Sequence, residues 1–257
     1  MTELQKLKLL DIDFVCNKKE EIVSYILENV LHKKKVQICL TNAFSLVSAN
    51  KDEEMKKANQ SSLVLSDGMP VVWLSKLYKN KIHERVSGAD LFEALLAAAC
   101  IHKMSFYFLG ASEDTLSLIK HNLMQKAAKL NIVGVYSPPY KNILSEEDNV
   151  EIIKHINAVK PDVLWVGMSA PKQEKWIYKN LSKLDTSMAI GVGAVFDFIA
   201  GKQKRSPLWM QRAGLEWLYR MLQEPARLWK RYLLGNIQFV VLVVRKLVYN
   251  LFHEKNT

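Results

Sequence analysis

The sequence predicts an α/β fold, a parallel sheet covered by helices on both faces, with a basic helical appendage at its C-terminal end. Three observations carry this. Short apolar runs recur along the chain, each closing on a glycine or a small polar residue and each followed by a helix start. Such alternation argues for buried parallel strands joined by helical crossovers. Beyond Gly201 the alternation stops, and eight of the ten net positive charges of the 257-residue chain lie there. The pattern therefore divides into a core over residues 1–201 and an appendage over 202–257.

The elements follow in order. Leu9 to Val15 reads as a strand, and Lys18 to His32 as an amphipathic helix carrying Ile22, Ile26, Leu27 and Val30. Val36-Gln37-Ile38-Cys39-Leu40 is a second strand running into Thr41-Asn42 and a helix. Thr or Asn there suits an N-cap, and equally suits a side chain facing a ligand at the sheet's carboxyl edge. Leu63-Val64-Leu65 is a third strand, ending in Ser66-Asp67-Gly68-Met69-Pro70 before a helical Val71-Val72-Trp73-Leu74. Gly68 permits the turn and Pro70 suits a first helical turn. A carboxylate at this strand-to-helix join can be a general base, a metal ligand or a cap, and its residue type alone leaves these open.

Lys81 to Val86 is a short segment containing Arg85, and Ser87 to Asp90 opens a helix over Leu91–His102. Ser105 to Leu109 is a strand ending in Gly110. Ile132 to Val135 is another, ending in the proline-rich Tyr136-Ser137-Pro138-Pro139-Tyr140. Ser145 caps a helix through Val159. Asp162 to Val166 ends in Gly167, with a helix near Pro171, and Ser187 to Ile190 ends in Gly191-Val192-Gly193. Strand–glycine–helix joins suit phosphate groups. The dinucleotide fingerprint is incomplete, because position 196 is Phe, so a nicotinamide dehydrogenase is disfavoured.

In the appendage, a helix runs to Glu224 and stops at Pro225. A second carries Arg227, Trp229, Lys230, Arg231 and Tyr232 and ends at Gly235. A last one carries the apolar run Ile237 to Val244, then Arg245-Lys246. That run is shorter than the roughly 20 residues a span needs. Basic residues beside Trp, Tyr and Leu suit a helix lying in a membrane interface, against the alternative of a basic hairpin packed on its own domain.

Composition closes other routes. Cys16, Cys39 and Cys100 are scattered, as reduced cytosolic thiols are, and the six histidines form no ligand spacing, so no structural zinc is expected. The N-terminus lacks the apolar stretch of a signal peptide. The basic residues cluster with interfacial aliphatics, outside any nucleic-acid motif, so no nucleic-acid partner is expected.

The chain resembles the bacterial WecG/TagA/CpsF glycosyltransferases. The matching pieces are Thr41-Asn42, Ser66-Asp-Gly-Met-Pro-Val-Val-Trp73, Arg85-Val-Ser-Gly88, Val166-Gly-Met-Ser-Ala-Pro-Lys-Gln-Glu174, Ile190-Gly-Val-Gly-Ala-Val-Phe-Asp-Phe198, Arg205-Ser-Pro-Leu-Trp209 and Leu215-Glu-Trp-Leu-Tyr-Arg-Met-Leu-Gln-Glu-Pro225. They span roughly residues 40 to 235. Ser206 stands where Ala is usual, and Met168-Ser169 replaces a more usual Leu-Gly, beside the donor loop.

The resemblance implies a Rossmann-like core and an inverting, metal-independent transferase, with no cofactor. It implies a UDP-sugar donor and an acceptor linked to undecaprenyl diphosphate, at the cytoplasmic face of the cell membrane. Asp67 matches the family's proposed base. Arg85, Gln173 and the Gly167 and Gly191–Gly193 turns would neutralise the leaving UDP. Asp197 could bind uracil or ribose, or serve only as a turn residue before Gly201. Thr41 and Asn42 would hold donor sugar or acceptor, with Tyr140 at the same substrate site. Arg220 and Arg227 would reach diphosphate from the appendage, while Lys230, Arg231, Arg245 and Lys246 would meet anionic lipid. N-acetylmannosamine passed to lipid-linked GlcNAc is the main expectation. UDP-glucose, UDP-galactose or UDP-ManNAc uronate as donor, or a non-catalytic accessory subunit, stay open, as does a homo-oligomer.

Overall fold

The computed structural model describes residues 3–253, so Met1, Thr2 and the last four residues of the appendage range lie outside it. Eight strands form one sheet: β1 (Lys6–Leu9), β2 (Ile12–Val15), β3 (Val36–Thr41), β4 (Leu63–Ser66), β5 (Ser105–Gly110), β6 (Asn131–Tyr136), β7 (Val163–Gly167) and β8 (Met188–Gly191). Their spatial order is β1-β2-β4-β3-β8-β7-β5-β6, and every pairing is parallel except β1 with β2. The alternation in the sequence is thus the doubly covered α/β sheet it predicts.

The first strand differs from expectation. Leu9 to Val15 is a hairpin, turned by Leu10 and Asp11, both with positive φ (49° and 65°). Two such residues make the tight turn whose twist suits a hairpin. No glycine or asparagine announces it, so the apolar pattern reads straight through. Asp11 therefore lies in a turn, where Lys56 and Lys246 reach it.

The register fixes where ligands can bind. Thr41 pairs with Ser66, Cys39 with Gly191, Val166 with Gly191 and Gly110 with Gly167. The carboxyl ends of β3, β4, β8, β7 and β5 therefore open on one edge, and the connections leaving the neighbours β7 and β5 run in opposite directions, to β8 and to β6. A crevice at that edge is where open α/β sheets bind ligands. Behind it, Trp165, Phe92, Phe106, Phe108 and Phe196 are fully buried, Phe92 standing edge-on to Trp165 at 4.9 Å. Rigid aromatic packing of this kind holds the strand ends at fixed spacing.

The appendage departs from the predicted helix breaks. The helix expected up to Glu224 is split into Leu208–Arg212 and Glu216–Gln223 by Gly214, whose φ is +73°. Arg212, Glu216 and Arg220 therefore do not share one helix face. Gly235 does not stop its helix either: with φ −63° it lies inside a continuous run made of Pro225–Trp229, a π-helical turn Lys230–Leu234 and Gly235–His253. As one unit, Pro225–Tyr249 is 25 residues, long and apolar enough by length and composition to cross a bilayer, contrary to the expectation of a run too short. One face is already taken by protein: Phe239 is buried against the helix Ala43–Lys51, with Leu242 and Val243 beside it. Ile237, Val240, Val241 and Val244 remain exposed on the other.

Candidate active site

The edge of β3 supplies Thr41 and Asn42, and the two part company. Thr41 is 1% exposed and its hydroxyl donates to Asn59 Oδ1 at 2.7 Å, away from the crevice. It ties β3 to the helix Glu53–Gln60 and does not line the cleft that Asn42 and Asp67 face. Asn42 does two jobs. Its Oδ1 accepts from the Ser45 N–H at 3.1 Å, capping Ala43–Lys51, and its Nδ2 donates to Asp67 Oδ2 at 3.4 Å.

Asp67 follows β4. It is not the cap of its own helix: Gly68 holds that place, with no side-chain bond. Its Oδ1 instead accepts from the Gly88 N–H at 3.2 Å, at the start of the 15-residue helix Gly88–His102. Loss of water around it raises its pKa to about 6, against the pull of Arg85 and with reinforcement from Glu216. A carboxyl poised there exchanges its proton near neutral pH, as a general base requires.

On the other side of the crevice, three glycines are held by contact. A Cβ on Gly167 would lie 2.5 Å from the Phe196 ring, and one on Gly110 (φ +111°) 2.6 Å from the Gly167 carbonyl oxygen. A Cβ on Gly191 would meet Gln173 Cγ at 2.9 Å. Gln173 is buried, and its Oε1 accepts from the Gly193 N–H at 3.1 Å while its Nε2 donates to Glu174. It braces the β8 turn as well as lining the cavity.

These pieces enclose a cleft of about 770 Å³, within the range of small-molecule sites. Asp67, Asn42, Gly167, Gln173, Gly193 and Asp197 line it, with the fully exposed Tyr140 at its rim and Arg220, Arg227 and Arg231 reaching in from the appendage. Gly191 supports the wall through Gln173 and does not itself line the cleft. Burial raises the Asp197 pKa, opposed by Arg227, reinforced by Glu224 and again opposed by Arg220. Arg231 corrects the sequence expectation. It is drawn away from any lipid-facing position, its guanidinium 4.4 Å over the Phe44 ring and its Nε buried without a partner. Arg220 Nε is likewise buried and unpartnered. Lys230, by contrast, is exposed beside Trp229, Arg245 is exposed, and Lys246 is half-spent on Asp11.

Arg85 lies outside this cleft. It lines a second cavity of about 120 Å³, together with Gly68, Met69, Trp217 and Tyr232, and is ion-paired with Glu216. Asp67, Asn42 and Arg220 line both cavities. Glu174 is a further participant that sequence reasoning passed over. It is 2% exposed, lines the large cleft, and leaves Oε2 without a partner; burial raises its pKa. A glutamate in the first turn of a helix is normally solvated, so nothing local marks it. Among the described residues no three His, Cys, Asp or Glu side chains gather as a metal site would require.

A parallel sheet bearing a desolvated carboxylate beside an arginine-walled cleft suits a transferase that handles a phosphorylated substrate. The chain belongs to the glycosyl transferase WecG/TagA/CpsF family, whose model matches residues 7–251. It is similar to the N-acetylglucosaminyldiphosphoundecaprenol N-acetyl-beta-D-mannosaminyltransferase of Bacillus subtilis (strain 168), 30% identical over 225 residues, 87% of this chain and 85% of the relative. The protein of that name from Bacillus spizizenii is 31% identical over 239 residues, covering 90% and 88%. That from Staphylococcus aureus (strain MW2) is 27% identical over 216 residues, covering 80% of each.

Proposed function

We propose that this protein transfers N-acetylmannosamine from a UDP-sugar to GlcNAc carried on undecaprenyl diphosphate, with inversion and without a metal. The observation that supports this most is the position of Asp67 on the seam between two cavities. The large cleft suits the nucleotide-sugar and the small one the acceptor sugar. Asp67 takes the proton of the acceptor hydroxyl as that oxygen forms its bond to the anomeric carbon, and the carbon–oxygen bond to UDP breaks with its electron pair. Arg220, Arg227 and Arg231 meet the diphosphate charge that develops. Residues 1–201 act as the catalytic core and 202–257 as an appendage that supplies those arginines.

The same appendage docks on the inner membrane face. Leu208, Trp209, Leu222, Trp229, Ile237 and Val240 are all exposed on it, beside Arg212, Lys230 and Arg245. Apolar and basic groups in that mixture suit an anionic interface. Sedimentation with anionic vesicles should fail for a chain ended at Gly201, and equal sedimentation of both chains would remove the membrane assignment.

The deciding experiment is UDP release from a panel of UDP-sugars, each with and without a short-chain lipid-diphosphate-GlcNAc, in EDTA. Acceptor-dependent release from UDP-N-acetylmannosamine is expected. Release from another donor alone would replace the sugar, and release only after a divalent ion is restored would overturn the metal-free reaction.

A further inference from the structure

Four charged side chains stand in a chain next to Asp67. Arg85 Nη1 pairs with Glu216 Oε2, and Arg85 Nη2 lies 3.7 Å from Asp90. Arg205 Nη2 pairs with Asp90 at 2.7 Å and donates to the Ser87 hydroxyl at 3.0 Å, while its Nε lies 3.4 Å from Glu216 Oε1. Ser87 caps the helix whose Gly88 N–H donates to Asp67. Two positive and two negative charges balance. Two of the four come from the appendage, Arg205 and Glu216; Glu216 lies at the first turn of Glu216–Gln223, and its side chain is only 14% exposed. Remove that residue from its place and the group next to Asp67 carries a surplus positive charge. A surplus cation holds a carboxylate ionised and makes it a poorer proton acceptor.

We propose that Glu216 is a positioning residue for Asp67: by pairing with Arg85 it cancels the charge of that guanidinium and keeps Asp67 a competent proton acceptor. This rests on the reading of Asp67 as the base. The groups facing Asp67 are Arg85 and Glu216 on the small-cavity side, Glu174 across the large cleft, and Arg220 where the cavities meet. Of the two carboxylates, only Glu216 is bonded to Arg85. Burial raises the pKa of Asp67, Arg85 lowers it and Glu216 raises it, in that order of size, which agrees with this balance.

The test uses the full chain and its kcat/KM against pH. Glu216→Gln keeps the acceptor oxygen for the arginines and loses the charge. Its acid limb should move down by about one pH unit, the lower end of what a close charge does, with a lower plateau. Glu216→Asp keeps the charge, and its limb should stay where the parent has it. A fall in rate for Glu216→Gln with the limb unmoved would overturn the proposal and leave a purely structural contact. Should Glu216→Gln be inactive, carbodiimide labelling of Asp67 read by peptide mass spectrometry gives the same comparison without turnover. A lower labelling midpoint supports the proposal, and an unmoved one overturns it. Parent-like turnover by Asp67→Asn would instead sink the base assignment while leaving the labelling comparison valid.

Discussion

Replacing Asp67 by Asn should lower activity and raise stability, and the second effect can be sized from the structure. The folded carboxyl has a pKa of about 6 against an ordinary 3.8. Folding therefore binds this proton more tightly, and the wild-type protein loses stability as pH rises from about 4 through about 6. The difference is worth about 3 kcal/mol at alkaline pH. Asn carries no charge to desolvate and keeps an oxygen for the Gly88 N–H. Its amide would face the Asn42 Nδ2, which now donates to Asp67 at 3.4 Å, and Asn42 cannot turn over without giving up the Ser45 cap. Losing that bond costs about 1 kcal/mol. The net gain is about 2 kcal/mol at pH 8, or about 4–8 °C in Tm for a chain of this size, turning into a small net loss near pH 4 as the charge penalty fades and the lost bond remains. Activity should fall by about 10²–10⁴-fold, the usual contribution of a general base. Thermal melts of both proteins at pH 4 and pH 8, beside transfer assays, make the check. A Tm difference that is the same at both pH values would refute the buried-carboxylate reasoning, whatever the activity does.

Arg231→Ala should weaken UDP binding by about 10- to 100-fold in calorimetry, the loss of a charged hydrogen bond to phosphate. Unchanged UDP affinity with lost vesicle binding would return Arg231 to the lipid surface. Gly167→Ala should cost about 1–3 kcal/mol in denaturant unfolding, because its Cβ would press on the Phe196 ring at 2.5 Å with Phe108 behind it. A neutral result there would mean the aromatic cluster yields more easily than its packing indicates.

Much of the core was legible in the sequence because parallel strands advertise themselves as apolar runs closed by glycine. The carboxyl-edge residues then fall at computable places, and Asp67, Asn42, Gly167, Gln173, Gly193 and Asp197 do converge. What was illegible depends on contacts between distant elements. Thr41 sits beside Asn42, yet a half-turn of backbone sends it to Asn59. Arg231 lies in a run of basic residues that reads as one surface, and only the stacking on Phe44 separates it from Lys230. Glu174 lies where the Gln37 amide, far from it in sequence, donates to its backbone carbonyl and ties its helix to β3. The hairpin at Leu10-Asp11 places a leucine, which seldom takes positive φ, in its turn, so local chemistry pointed the other way at that position.

The π-helical turn at Lys230–Leu234 sets the phase of everything after it. A π turn holds one residue more than an α turn, and each residue advances a helix by about 100°. On the upstream side the helix must present Arg227 and Arg231 to the cleft; downstream it must present Phe239 to Ala43–Lys51. Those two demands are out of step by about one residue, and the wide turn absorbs the mismatch. Were Lys230–Leu234 to wind as a regular α-helix with every residue kept, Phe239 would swing about 100° off its seat, although every residue of the grip and of the seat would still be present. A single deletion within the turn would instead remove the extra residue and leave Phe239 in phase. The angular phase between Arg231 and Phe239, more than the identity of the residues between them, is therefore what this segment has to preserve.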